Sequence, residues 1–323
     1  MRAQPEPLLT TVGPGSLEEI RAGLTDPVQK RLPTWLLYDP LGSSLFEAIS
    51  RLPEYGLTRA DERILADHAS EIVGAFARPL AVAELGSGSG RKTRPLLESL
   101  AATGGASYFP IDISPAALER CARELGGIPF IRIEPIEADY VQGLAEAVRL
   151  QSTDRMLVLF LGSTLGNLEP AEAPRFLREV RSQLKPGDGL LLGTDLVKPV
   201  DRLRQAYDDR LGVTAAFDLN VLARLNRELG AEFDLERFRH EARWNARERR
   251  IEMHLVALEG MHVPIRTLGM VLELRAGESL WTESSYKFGA GEVKELGARA
   301  GFASFRQWTD AEWPFAETLF LAI

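Results

Sequence analysis

Between residues 84 and 90 the chain reads Glu84-Leu85-Gly86-Ser87-Gly88-Ser89-Gly90. Glycines at every second position let a backbone turn tightly and pass close to a ligand with no Cβ in the way. The G-x-G-x-G spacing differs from the G-x-G-x-x-G of dinucleotide sites, and Glu84 suits a cationic amino-acid moiety better than a pyrophosphate. Asp112 follows Glu84 by 28 residues, at the end of the next apolar run, where a carboxylate accepts hydrogen bonds from both ribose hydroxyls of a nucleoside. Asp139 follows a third run and is placed to accept from an adenine amine, with Tyr140 beside the ring. A single glycine-rich turn is as readily a tight loop as a ligand cradle. The three signals together predict a nucleoside cofactor on Glu84, Gly86, Ser87, Gly88, Asp112, Asp139 and Tyr140. Lys92, just beyond the loop, reads either as a cofactor contact or as an exposed helix lysine.

Other chemistries lack their residues. The four histidines, His68, His240, His254 and His262, form no H-E-x-x-H or equivalent metal set, so no metal is expected. Gly162-Ser163-Thr164 is not a G-x-S-x-G nucleophile elbow, and Ser163 reads as structural. The single Cys121 excludes an internal disulfide and reads as a small buried hydrophobe. A net charge of −8 without a basic stripe disfavours nucleic acid or an anionic membrane as partner. The N-terminal Met-Arg-Ala-Gln-Pro-Glu-Pro leads into no long apolar run, and no run approaches a membrane span, so a cytoplasmic protein without a secretory signal is expected.

The elements that must position these residues alternate. Apolar runs at Leu80–Leu85, Tyr108–Ile111, Phe130–Ile133, Met156–Leu161 and Leu190–Thr194 read as strands. Helical patterns lie between them at Lys92–Ala102, Pro115–Leu125, Gly143–Leu150 and Pro170–Leu184. This is the signature of βαβ units and a parallel sheet covered on both faces, an α/β Rossmann-like core. A helix over Leu57–Ala77, N-capped by Thr58, precedes it, and turn signals stand at Gly13-Pro14-Gly15 and Tyr38–Gly42. After Asp195 the alternation stops. Residues 196–240 read as largely helical, and 241–287 as five strands. Turns at Glu259-Gly260 and Ala276-Gly277 suggest an antiparallel meander. Helix Glu292–Ala300 and strands Ala303–Trp308 and Thr318–Ala322 are expected to return to the parallel sheet. The expected domains are therefore 56–195 with 288–323 for the cofactor, and 1–55 with the inserted α+β segment 196–287 for the substrate.

The loop pattern resembles the class I methyltransferases that bind S-adenosylmethionine. Four longer blocks resemble, more narrowly, the histidine Nα-methyltransferases of ergothioneine biosynthesis. They are Tyr38–Phe46 with Arg51-Leu-Pro-Glu-Tyr55; Phe160-Leu-Gly-Ser-Thr-Leu-Gly-Asn167; Gly193-Thr-Asp-Leu-Val-Lys198 with Ala206–Phe217; and Thr282-Glu-Ser-Ser-Tyr-Lys-Phe288. The resemblance runs from about residue 17 to the end. It implies trimethylation of the α-amine of L-histidine to hercynine, with S-adenosylmethionine as methyl donor. It also implies site residues: Asn167 and Tyr55 at the amino and carboxylate end of the substrate, Tyr207 on the carboxylate, and Tyr38 close to the amine. Gly162 brings its backbone near the reacting centre, Glu283 and Ser285 hydrogen-bond the imidazole, and Met253 packs beside that ring. Gly56 departs from the pattern, in which a second tyrosine often follows Tyr55; the resemblance then implies a looser entrance.

The residue types suit that chemistry. An imidazole presents two nitrogens, which a carboxylate and a hydroxyl can satisfy together. In a strand, residues two apart face one side, so Glu283 and Ser285 can address one ligand, with Trp281 and Lys287 on the same parity. Read singly, Glu283 fits a solvent-facing strand residue, Tyr55 and Tyr207 fit core or rim aromatics, and Asn167 fits a turn or cap. The expected reaction is in-line attack of a neutral amine on a sulfonium methyl, with Tyr38 or a water near Asn167 as proton acceptor. Two rivals remain: the same fold methylating tryptophan, another aromatic amino acid or a thiol-histidine, and a non-catalytic module that binds S-adenosylmethionine. L-histidine is the expected partner and a monomer the expected state.

Overall fold

The computed structural model describes residues 14–77 and 79–323. The turn expected at Gly13-Pro14-Gly15 begins outside these residues, and Pro14 itself opens a helix, Pro14–Leu24. The chain divides into two compact units. The first takes residues up to Ile49 with Tyr207–Trp244 and Ile251–Glu283; the second takes Ser50–Ala206, Asn245–Arg250 and Ser284–Ile323. The crossings fall at 49/50, 206/207, 244/245, 250/251 and 283/284, where the sequence predicts three, at 55/56, 195/196 and 287/288. Local bonds show why: Leu52 accepts from Arg59, Lys198 and Arg202 lie over the Trp313 ring, and Lys287 pairs with Asp195, all inside the second unit.

In chain order the strands are β1 (Leu80–Leu85), β2 (Ala106–Asp112), β3 (Ile131–Ile133), β4 (Ile136–Glu137), β5 (Arg155–Phe160), β6 (Gly189–Asp195), β7 (Phe238–Asn245), β8 (Arg250–Ala257), β9 (Met261–Ile265), β10 (Met270–Leu274), β11 (Ser279–Tyr286), β12 (Phe302–Thr309) and β13 (Phe315–Ala322). The second unit is built on a sheet in the order β12-β13-β6-β5-β1-β2-β3, with β4 also on β2. From β3 to β6 every pairing is parallel; in the centre Val82 lies opposite both Tyr108 and Leu157. All six residues of β1 are buried, which is why it reads as an unbroken apolar run. The tail does return to the sheet, but antiparallel: β12 and β13 are joined by a short turn, which forces them to run opposite ways, and β13 pairs antiparallel with β6.

The helix before β1 runs Gly56–Gly74 with Tyr55 as its N-cap, so Thr58 lies inside it and does not cap it. The helix Pro115–Leu125 matches expectation, and Ser114 caps it through Oγ. None of the described helices is long and apolar enough to cross a membrane.

In the first unit the expected meander is replaced by two separate sheets. β9 and β10 form an antiparallel hairpin of their own, and β11 skips past them to pair with β8, giving the order β11-β8-β7. The hairpin turn is Arg266-Thr-Leu-Gly269, with Gly269 at φ +58°, rather than either of the two glycine turns expected. Helix Val213–Leu229 is bounded by Gly212 and Gly230, both left-handed.

Candidate active site

A parallel sheet offers its ligand surface beyond the C-terminal ends of its strands, at the switch point where successive connections diverge. Here that point lies at β1, flanked by β2 on one side and β5 on the other. Gly86, Gly88 and Gly90 all take positive φ, and Gly86 and Ser87 donate their N–H groups to the Ile111 carbonyl at the end of β2. A Cβ on Gly86 would stand 3.3 Å from the Tyr140 ring, so this glycine keeps a slot open between the loop and that ring. Tyr140 leans on Phe160 and Phe176 at centroid distances of 5.4 and 6.1 Å. Asp112 Oδ2 accepts from Gly88 N at 3.1 Å and Oδ1 from Ser114 N at 2.9 Å. Burial raises its pKa against those two donors. Asp139 caps helix Tyr140–Leu150, with Oδ1 accepting from Val141 and Gln142. Glu84 sits beneath the loop, where its Oε2 accepts from Thr93 Oγ1 and from the Tyr108 hydroxyl. Burial pushes the Glu84 carboxyl up to about 7, with the two hydroxyls pulling the other way.

At the end of β5 the chain makes two successive left-handed residues, Gly162 at φ +70° and Ser163 at φ +60°. Ser163 is not a glycine, and its hydroxyl accounts for the conformation being held: Oγ accepts from Asp195 N at 2.9 Å. The structural reading of Ser163 therefore acquires a specific bond. Gly162 donates to Asp61 Oδ2 at 3.0 Å, and a Cβ on it would come within 2.9 Å of Lys92 Nζ. Lys92 itself donates to the same Asp61 oxygen at 3.0 Å, which settles it as a paired side chain and not a solvated helix lysine. Asn167 ends the single 3-10 turn Thr164–Asn167 and is half-buried. The loop, Asp112, Tyr140, Lys92 and Gly162 thus gather at one edge of the second unit's sheet.

Tyr55 is buried at the N-cap of the helix Gly56–Gly74. The volume a side chain at Gly56 would need is filled by the Trp313 ring, with which a Cβ there would collide. The looser entrance expected at Gly56 is thus corrected: an indole closes that space. Trp313 Nε1 donates to Asp195 Oδ1 at 2.9 Å, and Lys198 Nζ lies 4.6 Å above the ring. Asp195 is fully buried between Lys198 and Lys287; burial alone would raise its pKa, but the two ammonium groups hold it below the ordinary value. Burial pushes Lys198 down to about 8. Lys287 also donates to Ser285 Oγ at 2.7 Å, so these two side chains share a face of the strand as the alternation requires.

In the first unit, Tyr38 packs edge-on against Phe46 and Phe217, each at 5.8 Å. Tyr207 ends helix Val200–Tyr207 and is buried. Its carbonyl faces His240 Nε2 at 2.8 Å, and His240 Nδ1 lies 2.7 Å from Asp218 Oδ2. Met253 is buried in β8, its carbonyl accepting from Thr282 Oγ1. Trp281 stacks on His254 and donates Nε1–H to the Glu283 carbonyl at 2.8 Å. Glu283 is 7% exposed and Ser285 4%, so Glu283 is not a solvent-facing strand residue. Sequence reasoning missed Asp61, Glu317, Asp195, Lys287, Trp313 and the His240–Asp218 pair. The partners of Asp61, Glu317 and Trp313 lie far away along the chain, and the bonds Asp195–Lys287 and His240–Asp218 also join distant positions, so no spacing rule announces them. Among the described residues no group of His, Cys, Asp and Glu is arranged to hold a metal.

Residues 16–322 match the family model described as histidine-specific, S-adenosylmethionine-dependent methyltransferase. The chain is 43% identical over 303 residues to the histidine N-alpha-methyltransferase of Mycolicibacterium smegmatis, covering 93% of each protein. It is 42% identical over 306 residues to the protein of that name in Mycobacterium tuberculosis, again covering 93% of each. Ergothioneine biosynthesis protein 1 of Neurospora crassa is 31% identical over 288 residues, a match spanning 87% of this chain and 32% of the fungal one.

Proposed function

The chain belongs to the histidine-specific, S-adenosylmethionine-dependent methyltransferase family, and from that premise we propose that it methylates the α-amino group of L-histidine three times, to hercynine, in ergothioneine biosynthesis. The observation that carries the choice of substrate is the burial of Glu283 and Ser285 two residues apart on β11. A buried carboxyl and hydroxyl on one strand suit a ring with two polar nitrogens. An indole has one donor and no acceptor and a phenyl ring has neither, so neither can answer both groups as an imidazole does.

The residues at the loop fit the cofactor: a side chain at Gly86 would crowd the Tyr140 ring at 3.3 Å, so glycine keeps the backbone bare beside that ring, and the Asp112 carboxyl is held at the same loop by the Gly88 N–H. Gly86, Ser87, Gly88, Asp112, Asp139 and Tyr140 would hold it, with Lys92 toward its amino-acid end and Glu84 bracing the loop from below. When bound, S-adenosylmethionine supplies an electrophilic methyl group on a sulfonium. The protein's part is to bind and align. Tyr55, Asn167 and Tyr207 grip the amino and carboxylate end of histidine without adding net charge, while Met253, Glu283 and Ser285 fix its ring. Tyr38, set edge-on against Phe46 and Phe217, offers a weakly hydrated face that tolerates an increasingly methylated ammonium, and its hydroxyl, or a water near Asn167, accepts a hydrogen bond from the amine as its proton passes to solvent. Aligning an amine against a fixed methyl contributes more here than acid–base chemistry, because charge disperses in such a transition state. The same reading has the enzyme acting as a monomer in the cytoplasm.

Calorimetry of S-adenosylmethionine with and without histidine, followed by mass spectrometry of the products, tests the proposal. Histidine should gain one, two and three methyl groups. Binding of the cofactor with no methylated product would leave a non-catalytic module, and preference for tryptophan would leave a different amino-acid methyltransferase.

A further inference from the structure

Beneath Gly162 and Lys92 lies a group of acids that the proposed mechanism does not use. Asp61, on helix Gly56–Gly74, and Glu317, on β13, are both fully buried. Asp61 Oδ2 accepts twice at 3.0 Å, from the Gly162 N–H and from Lys92 Nζ. Its other oxygen, Oδ1, is buried and meets no N–H or hydroxyl, and neither does either oxygen of Glu317. Glu317 stands opposite Gly193 in the β13–β6 register, and a Cβ on Gly193 would lie 2.5 Å from Glu317 Oε1 and 3.2 Å from Gly162 N. The missing side chain at 193 therefore makes room for a carboxyl pressed toward the Gly162 turn. Glu84 is the third acid of the group, and the Lys92 ammonium faces all three.

Three ionised carboxylates around one ammonium, all out of water, would leave buried negative charge without a counter-charge, which is strongly unfavourable. A proton on Glu317 removes that cost and converts the side chain from an acceptor into a donor. The acceptor it faces is Asp61, so one shared hydrogen satisfies Asp61 Oδ1 and an oxygen of Glu317 together. Burial and the neighbouring Asp61 charge both drive the Glu317 carboxyl well above its ordinary range.

We propose that Asp61 and Glu317 are a positioning pair, in which a neutral Glu317 holds Asp61 by a hydrogen bond and Asp61, through one oxygen, fixes both the Gly162 turn and the Lys92 ammonium at the cofactor edge. Neither residue touches substrate. Their effect is geometric: a left-handed glycine is anchored at its N–H by a charged acceptor, and Lys92 is held at that same atom. The inference rests on the proposed function, in which Lys92 lies toward the amino-acid end of the cofactor and Gly162 brings its backbone near the reacting centre.

The test compares wild type with Glu317→Gln, Glu317→Leu and Asp61→Asn. Glutamine keeps an N–H donor for Asp61, so Glu317→Gln should hold kcat within about threefold, while Glu317→Leu should lower it by about 10- to 100-fold. Asp61→Asn should lower kcat by a similar factor, with the dissociation constant for S-adenosylhomocysteine changed less than about threefold. The infrared difference between wild type and Glu317→Gln at neutral pH should show a buried neutral carboxyl lost in the variant, over and above the neutral fraction of Glu84 that both proteins share, a readout independent of turnover and of whether the leucine variant folds. Loss of activity in Glu317→Gln equal to that in Glu317→Leu, absence of the neutral band, or an unaltered kcat in Asp61→Asn would each overturn the pair. A wild-type protein that binds cofactor but does not methylate histidine would sink the functional reading instead, and the infrared band would still decide the protonation of Glu317.

Discussion

Replacing His240 by leucine should destabilise the first unit more than any single contact on its surface could. The His240 ring is 1% exposed and the Asp218 side chain 0%. One ring nitrogen faces the Asp218 carboxylate at 2.7 Å and the other the Tyr207 carbonyl at 2.8 Å. Both partners only accept, so both nitrogens carry hydrogen and the ring is an imidazolium. Burial opposes that charge, but the Asp218 hydrogen bond and charge outweigh it and raise the pKa above the ordinary 6.5. Leucine leaves Asp218 charged and sealed from water. Breaking a buried pair in this way costs about 3–5 kcal/mol, set against a total stability of about 5–15 kcal/mol. The double variant Asp218→Leu/His240→Leu removes the stranded charge and should retain only the unmet Tyr207 carbonyl, about 1–3 kcal/mol. The double variant should therefore be more stable than the single one, and urea unfolding of the four corners of the cycle measures it. Because the folded pKa is raised, the imidazolium's contribution is complete below pH 6.5 and fades as pH climbs through the folded value, so wild type and the double variant should converge on the alkaline side. A His240→Leu loss below about 1 kcal/mol, or a double variant no better than the single, would refute the reasoning. So would a wild-type advantage that grows with pH. Since His240 holds the backbone of Tyr207, the surviving variants should raise KM for histidine more than they lower kcat.

Three further substitutions separate the roles assigned above. Asp112→Ala should weaken S-adenosylmethionine binding by about 1–3 kcal/mol, through the lost ribose acceptor and the freed Gly88 N–H; calorimetry showing an unchanged dissociation constant would remove Asp112 from the site. Asn167→Ala should reduce methyl transfer far more than cofactor affinity, and an equal loss of both would make Asn167 a structural residue of its 3-10 turn. Glu283→Ala should raise the histidine requirement roughly ten- to a hundredfold and relax rejection of phenylalanine and tryptophan. If kcat/KM for the three amino acids moves by one common factor, Glu283 does not select the imidazole.

The parallel half of the fold was legible because its signals are local. β1, β2, β5 and β6 are short runs buried on both faces, and each stands out as apolar whatever it pairs with. The glycine-rich turn after β1 was legible for the same reason, since its glycines carry their conformation in their own φ values. The pairing of β8 to β11 was not. Glycine at Gly260 and Gly277 marks where the chain bends, yet it says nothing about which strands meet after the bend. The true hairpin turns on Gly269 while β11 crosses back to β8. The direction of the tail was lost in the same way: alternation reports that a strand is buried, not which way it runs.

The site shows the same division at the level of single residues, and Gly56 makes it concrete. Read in place, a glycine after Tyr55 is a missing aromatic and implies an open space. In the folded chain that space holds the Trp313 ring, contributed by the short turn between β12 and β13. The indole is fixed by its N–H bond to Asp195 and lies under the Lys198 ammonium, so the volume is filled by a residue that is itself tied to the buried ion cluster at the end of β6. Any side chain at position 56 would have to expel the indole, and expelling it would strip Asp195 of one of the groups that offset its burial. Gly56 and Trp313 are thus one structural choice written at two distant positions, and the presence of an aromatic at that place can be judged only from both together.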